Sequence, residues 1–219
     1  VIAVSFGIKE NLIKNRITKK TPIVIGNGSA NGIDANDFSR ENIEKKGLRE
    51  KYDISDNTLL FGFLGRLVGD KGINELIKVF VKLNKKHRNI KLLLVGWYED
   101  ELDPLEEDIK KEIETNINII AVGGQNDVRP FLYMMDIFVF PSYREGFGVS
   151  IMEAAAMDVP AICSNISGCN EIIKDGYNGK LVSPKSTIEL IDAMDFFIEN
   201  PEIVKQMKAV TRDYILEKY

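Results

Sequence analysis

From about residue 58 the sequence alternates short, continuously apolar runs with longer segments of helical periodicity, and this alternation leaves few folds open. The runs are 58–65, 90–96, 117–123, 136–142 and 160–165, with a weaker sixth at Gly179–Val182. Unbroken hydrophobicity suits strands buried on both faces of a parallel sheet. Most runs end in Gly, Ser or Asn, where a tight turn can begin. Between them, Ile73, Leu76, Ile77, Phe80 and Leu83 form an i, i+3, i+4, i+7 stripe, and Leu190, Ile191, Met194, Phe197 and Ile198 form another. Pro104 fits the first turn of a further helix, with Glu106, Glu107 and Asp108 behind it where the helix dipole favours anions. Repeated strand–helix units with right-handed crossovers predict a Rossmann-like, doubly wound α/β domain on a parallel sheet.

Residues 1–40 follow a different plan. A strand at 1–5, a polar helix and a strand at 21–26 lead into Gly26-Asn27-Gly28-Ser29-Ala30-Asn31-Gly32-Ile33-Asp34, a turn-dense linker. Gly26 and Gly28 are followed by Asn31 where a dinucleotide fingerprint needs a third glycine, and no G-x-x-x-x-G-K-[ST] loop is present. The chain begins at Val1 without a signal-like segment and stops inside an amphipathic helical pattern, so it reads as a piece of a longer protein. No apolar run approaches the roughly 18–20 residues of a membrane span.

Composition removes several classes of function. With 44% hydrophobic and 28% charged residues, the 219-residue chain is an ordinary globular protein. Its 29 basic and 33 acidic residues give −4, against the basic excess that sequence-blind nucleic-acid binding needs. Cys163 and Cys169 make neither a disulfide framework nor a zinc spacing, which favours a reducing, cytoplasmic setting, and Cys163 reads as an inert core residue. The only histidine, His87, would have to serve any Ser-His-Asp triad alone and rules out a multi-histidine metal site within the chain. Its setting in Lys85-Lys86-His87-Arg88, at a helix end, reads as solvated surface.

In a parallel α/β sheet, ligands bind outside the carboxyl ends of the strands, which singles out four loops. The first, Gly65-Arg66-Leu67-Val68-Gly69-Asp70-Lys71-Gly72, sets two cations in a glycine-rich turn before a helix; it fits a phosphate grip or an ordinary solvated loop. The second follows residues 136–140 and carries Glu145-Gly146-Phe147-Gly148-Val149, with Glu153 in the helix behind it. Bare N–H groups at a helix start bind anions and hydroxyls, and ionised carboxylates accept hydrogen bonds from sugar hydroxyls. A cap (Glu145) and a helix surface (Glu153) are the plainer roles. The third, Val122-Gly123-Gly124-Gln125-Asn126-Asp127, offers backbone to a base edge, or a left-handed turn before a helix capped by Asn126 or Asp127. The fourth, around Ser164 to Glu171, reads mainly as a capping turn that starts a helix. Trp97 and Tyr98, past a strand end, fit a hydrophobic cover or an interaction patch, the cover being favoured, and Glu106 to Lys111 read as an exposed helix face laced with charge pairs.

Taken in order, these parts resemble the C-terminal, donor-binding half of a GT-B glycosyltransferase of the retaining family GT4. The resemblance rests on Gly65-Arg66 with Lys71-Gly72, on the run from Asp136 through Pro141-Ser142-Tyr143-Arg144-Glu145-Gly146-Phe147-Gly148, on the E-x7-E pair Glu145 and Glu153, and on Glu171-Ile172-Ile173 with Asp175-Gly176 and Asn178-Gly179. It spans about residues 20–200. It implies that Arg66 and Lys71 neutralise the diphosphate of a nucleotide-sugar, bound and departing. Glu145 and the backbone of Gly146, Phe147 and Gly148 would hold the donor sugar, Glu153 the ribose, and backbone at Val122 and Gly123 the base, with Gly65 and Val149 also at the donor site. It implies no obligatory metal or other cofactor, a UDP-sugar as donor, and hexosyl or N-acetylhexosaminyl transfer in bacterial surface polysaccharide synthesis. The saccharide or lipid-linked acceptor, and any peripheral attachment to the inner membrane, would belong to a missing N-terminal domain. On this reading residues 1–20 are a remnant of that domain, 21–40 the interdomain linker and 41–219 the donor domain, and the fragment binds donor without transferring it efficiently. A catalytically silent nucleotide-binding or scaffold module is the alternative that the same fold allows.

Overall fold

The computed structural model describes residues 1–219 apart from Ala30, Lys45, Lys46 and Leu102, so Ala30 of the expected linker lies outside the described residues. Six parallel strands form the main sheet: β3 (Leu59–Leu64), β4 (Ile90–Val95), β5 (Ile119–Ala121), β6 (Ile137–Phe140), β7 (Ala161–Ser164) and β8 (Gly179–Val182), in the spatial order β5-β4-β3-β6-β7-β8. A separate parallel pair, β1 (Ile2–Ala3) with β2 (Ile23–Val24), flanks α1 (Phe6–Lys14). The doubly wound expectation therefore holds for the body of the chain. Sequential strands run outward from β3 to β5, and the chain then returns to lay β6 against the other side of β3. That reversal opens a crevice at the carboxyl ends of β3 and β6, the topological switch point.

The sequence pattern explains the layers. Strands β6 and β7 are buried at every position, and β4 at all but Lys91, as continuous apolar runs require. Phe63 stacks on Phe140 with ring centroids 5.7 Å apart, and Phe140 on Phe138 at the same distance, tying β3 to β6 through the core. Helix α2 (Ile73–Lys86) buries the whole expected stripe, keeps Glu75 in its first turn and has Lys85 and Lys86 in its last. Helices α3 (Glu107–Thr115), α4 (Arg129–Met134), α5 (Val149–Ala156), α6 (Thr187–Glu199) and α7 (Pro201–Leu216) complete the layers. In α6, Ser186 accepts the Glu189 N–H at 3.2 Å while the Glu189 carboxylate turns back to the Ser183 N–H at 2.7 Å, a capping arrangement that fixes the helix start.

Several expectations need correction. Pro104 lies ahead of α3, whose N-cap is Glu106, so it does not enter the first turn. The run 117–123 gives only three strand residues, and Ile117 is 86% exposed because it precedes the edge strand β5. No helix follows Ser164–Glu171 among the described residues; successive turns there end at Asn178, whose buried side chain accepts the Lys174 N–H at 2.8 Å. His87 is no solvated surface residue. Its side chain is 18% exposed and its Nε2 lies 2.7 Å from Asp195 on α6. No helix among the described residues is long and apolar enough to cross a membrane.

Candidate functional site

The crevice at the switch point is a cleft of about 450 Å³ lined by Gly65, Arg66, Lys71, Glu145, Phe147 and Glu153, among others. It brings together the two loops that the sequence singled out separately. Beyond β3 the chain passes Arg66 and a single 3₁₀ turn (Gly69–Lys71) into α2. Gly72, at φ +72°, sits so close to the Pro141 carbonyl that a Cβ there would collide with it, so only glycine lets the loop after β3 meet the loop after β6. The contact is reinforced by the Tyr143 N–H, which donates to the Asp70 carbonyl at 2.8 Å, and by the Arg144 guanidinium 3.1 Å from the Asp70 carboxylate. The Asp103 carboxylate in turn accepts the Asp70 N–H at 2.5 Å.

Both cations of the first loop are neutralised within the chain. Lys71 Nζ donates to Glu145 Oε1 at 2.5 Å, with the two side chains only 14% and 12% exposed. The same ammonium lies 5.5 Å from the centre of the Phe140 ring, whose face attracts a cation. Arg66, half exposed, is paired with Glu99 from the loop after β4. Glu145 is thus neither a helix cap nor a surface carboxylate; it is the counter-ion of Lys71. Glu153 projects from α5 into the cleft with no side-chain hydrogen bond among the described residues, and burial pushes its carboxyl up to about 7. Ionised, that carboxylate has acceptor oxygens facing the cleft and room for hydrogen-bond donors.

The bare backbone is narrower than the sequence suggested. Helix α5 starts after Gly148 with no side-chain cap. The Gly148 N–H already donates to the Gly168 carbonyl at 3.3 Å, and the Val149 N–H to the Phe147 carbonyl at 2.9 Å. That leaves the N–H groups of Gly146 and Phe147 without a chain partner among the described residues. In the third loop, the Val122 N–H donates to Leu94 and its carbonyl accepts Gln125 Nε2 at 2.7 Å, while the Gly123 carbonyl accepts the Gly96 N–H at 2.9 Å. The Gly123 N–H remains, on a left-handed turn of φ +68° as anticipated. Asp127 accepts the Arg129 N–H at 3.0 Å, one residue ahead of the α4 N-cap Val128. Its carboxyl is held below the ordinary aspartate range by that arginine.

Three features escaped the sequence. Glu99, two residues past Trp97, carries no motif that marks it as a partner of Arg66. Glu171, expected to cap a helix of its own, instead receives the Phe6 and Gly7 N–H groups at 2.8 and 3.0 Å and so caps α1 from across the molecule. Trp97 is 65% and Tyr98 40% exposed, so neither serves as a cover. Away from the cleft, His87, Asp195 and Glu199 bring three ligand-type atoms within 4.8 Å of one another. Lys86 Nζ already lies 2.9 Å from Asp195 and 3.2 Å from Glu199, which makes this cluster an ion-pair network with its cation in place.

A family model described as "Glycosyl transferases group 1" matches residues 44–214. The capsular polysaccharide biosynthesis glycosyltransferase CapM of Staphylococcus aureus is 37% identical over 185 residues, covering 83% of this chain and 47% of that protein. A UDP-Gal:alpha-D-GlcNAc-diphosphoundecaprenol alpha-1,3-galactosyltransferase of Escherichia coli is 30% identical over 172 residues, 75% of this chain and 43% of that one. The chain thus spans about half the length of these curated relatives. Among solved structures, a glycosyltransferase from Rickettsia africae matches all of this chain and 59% of its own, with TM-score 0.84 and 26% identity. The C-terminal domain of a glycosyl transferase group 1 family protein (LpcC) from Francisella tularensis covers 86% of this chain and 98% of its own, with TM-score 0.74 and 26% identity.

Proposed function

Because this chain belongs to the group 1 glycosyl transferases, we propose that its cleft takes a nucleotide-diphospho-sugar, a UDP-sugar, as the donor half of a retaining GT4-type enzyme. The observation that carries the reading is the meeting of Arg66 and Lys71 with Glu145 and Glu153 across the β3–β6 switch point. A diphosphate is a bidentate, multiply charged competitor for both cations, and it displaces Glu99 from Arg66 and Glu145 from Lys71. Glu145, once released, accepts hydrogen bonds from donor-sugar hydroxyls beside the free N–H groups of Gly146 and Phe147. Glu153 accepts from the ribose hydroxyls, and the Gly123 N–H meets the base.

Transfer then proceeds on one face of the sugar. The bond from the anomeric carbon to the phosphate oxygen breaks, the acceptor oxygen bonds to that carbon from the same side, and the acceptor proton passes to the departing phosphate. Arg66 and Lys71 stabilise the charge that grows on the leaving diphosphate, so the contribution of this half is positioning and electrostatics. The acceptor is a saccharide or lipid-linked saccharide of a bacterial surface polymer, in keeping with the names of the Staphylococcus and Escherichia relatives. It is read by a second, N-terminal domain of which residues 1–20 are a part and 21–40 the linker; residues 41–219 bind donor and turn it over poorly alone. The enzyme works on the cytoplasmic side, with any hold on the inner membrane supplied by that second domain.

Thermal unfolding of this chain with UDP, GDP and ADP tests the proposal. A ligand present at 100 times its Kd stabilises by about 2.7 kcal/mol, a shift of several degrees at this size. Selective stabilisation by UDP is expected. Stabilisation by none of the three contradicts the donor-site reading, and rapid sugar transfer by the chain alone contradicts the division of labour.

A further inference from the structure

Trp97 is the only tryptophan, and it sits at the carboxyl end of β4 with 65% of its surface exposed. Burying an indole ordinarily removes a large apolar area from water, so a tryptophan left open at a strand end beside the loop of Arg66 and Lys71 has a free face to offer. Its position is fixed from both sides. The Trp97 carbonyl accepts the Leu67 N–H at 2.8 Å, which ties it to the loop of Arg66 and Lys71. The adjoining Gly96 N–H donates to the Gly123 carbonyl at 2.9 Å, which ties the same turn to the loop after β5. The indole itself lies across Gly124, where any Cβ would collide with the ring, while a Cβ at Gly123 would meet nothing within 4 Å. Two residues on, Glu99 is paired with Arg66. The ring therefore stands on the wall between the cations and the open Gly123 turn, held by backbone on both flanks and covering too little of the protein to be explained as a lid.

Resting on the donor-site reading above, we propose that Trp97 is a further donor-binding residue whose indole stacks on the nucleobase of the donor nucleotide. Stacking on one face, with the Gly123 N–H on the base edge, gives the base two orthogonal contacts where backbone alone gives one. The contact tolerates any base, because every base has a π-face, so Trp97 sets affinity while the Gly123 turn reads the edge. Trp97 adds no charge to the site and acts on the base alone.

As the lone tryptophan, it reports on itself. UDP, GDP and ADP are titrated by calorimetry and, in parallel, by tryptophan emission. Expected is a saturable change in emission with the calorimetric Kd for the nucleotide that binds. Trp97→Ala weakens that nucleotide about tenfold, within the range that loss of one base–aromatic stack produces. Trp97→Phe restores most of the affinity, and binding of inorganic pyrophosphate is the same in all three proteins. A nucleotide that binds by calorimetry without changing the emission, and binds Trp97→Ala as tightly as the parent, overturns the stacking role while leaving the donor site standing. A loss of pyrophosphate binding in Trp97→Ala equal to the nucleotide loss also overturns it, since the ring would then be shaping the phosphate loop. No calorimetric binding of any of the three brings down the donor-site reading and this inference with it.

Discussion

At the carboxyl edge of the sheet, Lys71 meets one carboxylate and Glu153 has no side-chain partner among the described residues; at the amino edge, Asp136 alone gathers three partners. Asp136 accepts Lys208 of α7 at 2.7 Å, the Leu60 N–H of β3 at 2.9 Å and Arg49 at 3.3 Å. Arg49 in turn donates to the carbonyls of Met134, Ser55 and Thr58. Asp136 and Arg49 are each bonded to backbone as well as to an opposite charge, so no ligand can replace either partner without loosening a strand. At the carboxyl edge the ion pairs join side chain to side chain, and glycines leave backbone N–H groups open beside them. The larger of the two cavities, about 710 Å³, lies at the amino edge around Asp136, His87 and Lys208. Volume is therefore a poor guide here. A pair whose members can trade each other for an incoming anion marks the site better than the size of the hollow.

Substitutions at the two edges should separate stability from binding. Asp136→Ala strands Arg49 and Lys208, and at their partial exposure it costs about 2–3 kcal/mol of unfolding free energy in a urea titration. The folded fraction keeps its affinity for UDP. A variant that retains its stability but loses UDP would reverse the roles assigned to the two edges.

Glu153 supplies a pH-dependent contrast. Burial pushes its carboxyl from the ordinary glutamate value of about 4.5 up to about 7 in the folded chain, so ionising it costs folding stability as pH rises through that window. Glu153→Gln is therefore more stable than the parent at pH 8, by about 1–2 kcal/mol once solvent screening is allowed for, and equal to it at pH 4. Affinity of the parent for a UDP-sugar, whose esterified diphosphate loses no proton in this range, rises between pH 6 and 8 as the carboxylate forms. A flat affinity profile in that window would remove Glu153 from the ribose. The smallest effect is expected at Glu99: Glu99→Gln frees the half-exposed Arg66 and tightens UDP about two- to threefold, as suits an exposed ion pair. Weaker UDP binding by that variant would make Glu99 a support for Arg66 instead of a competitor.

The parallel sheet was legible because its strands are buried on both faces and its helices carry one apolar stripe each; β8 falls on the expected Gly179–Val182. The loops were legible as far as glycines and charges mark strand ends. What stayed hidden depends on tertiary contact. Nothing local distinguishes Glu99 from other acidic residues of its loop, and only folding brings it to Arg66. Glu171 reads as a cap, yet the helix it caps begins 165 residues earlier in the chain. The Gly148 and Val149 N–H groups looked free at a helix start, and it is the Gly168 turn and the Phe147 carbonyl that consume them. His87 looked solvated because its neighbours are basic, and Asp195 on another helix is what draws it in.

If the switch-point cleft is a donor site, its two cations hold a diphosphate. The direct measurement is the calorimetric affinity of UDP and of uridine for the parent, Lys71→Ala and Arg66→Ala. Loss of one charge-assisted phosphate contact is predicted to weaken UDP by about tenfold or more in each variant, with uridine changed by about twofold or less. Equal losses for UDP and uridine, or no loss for either, would contradict it.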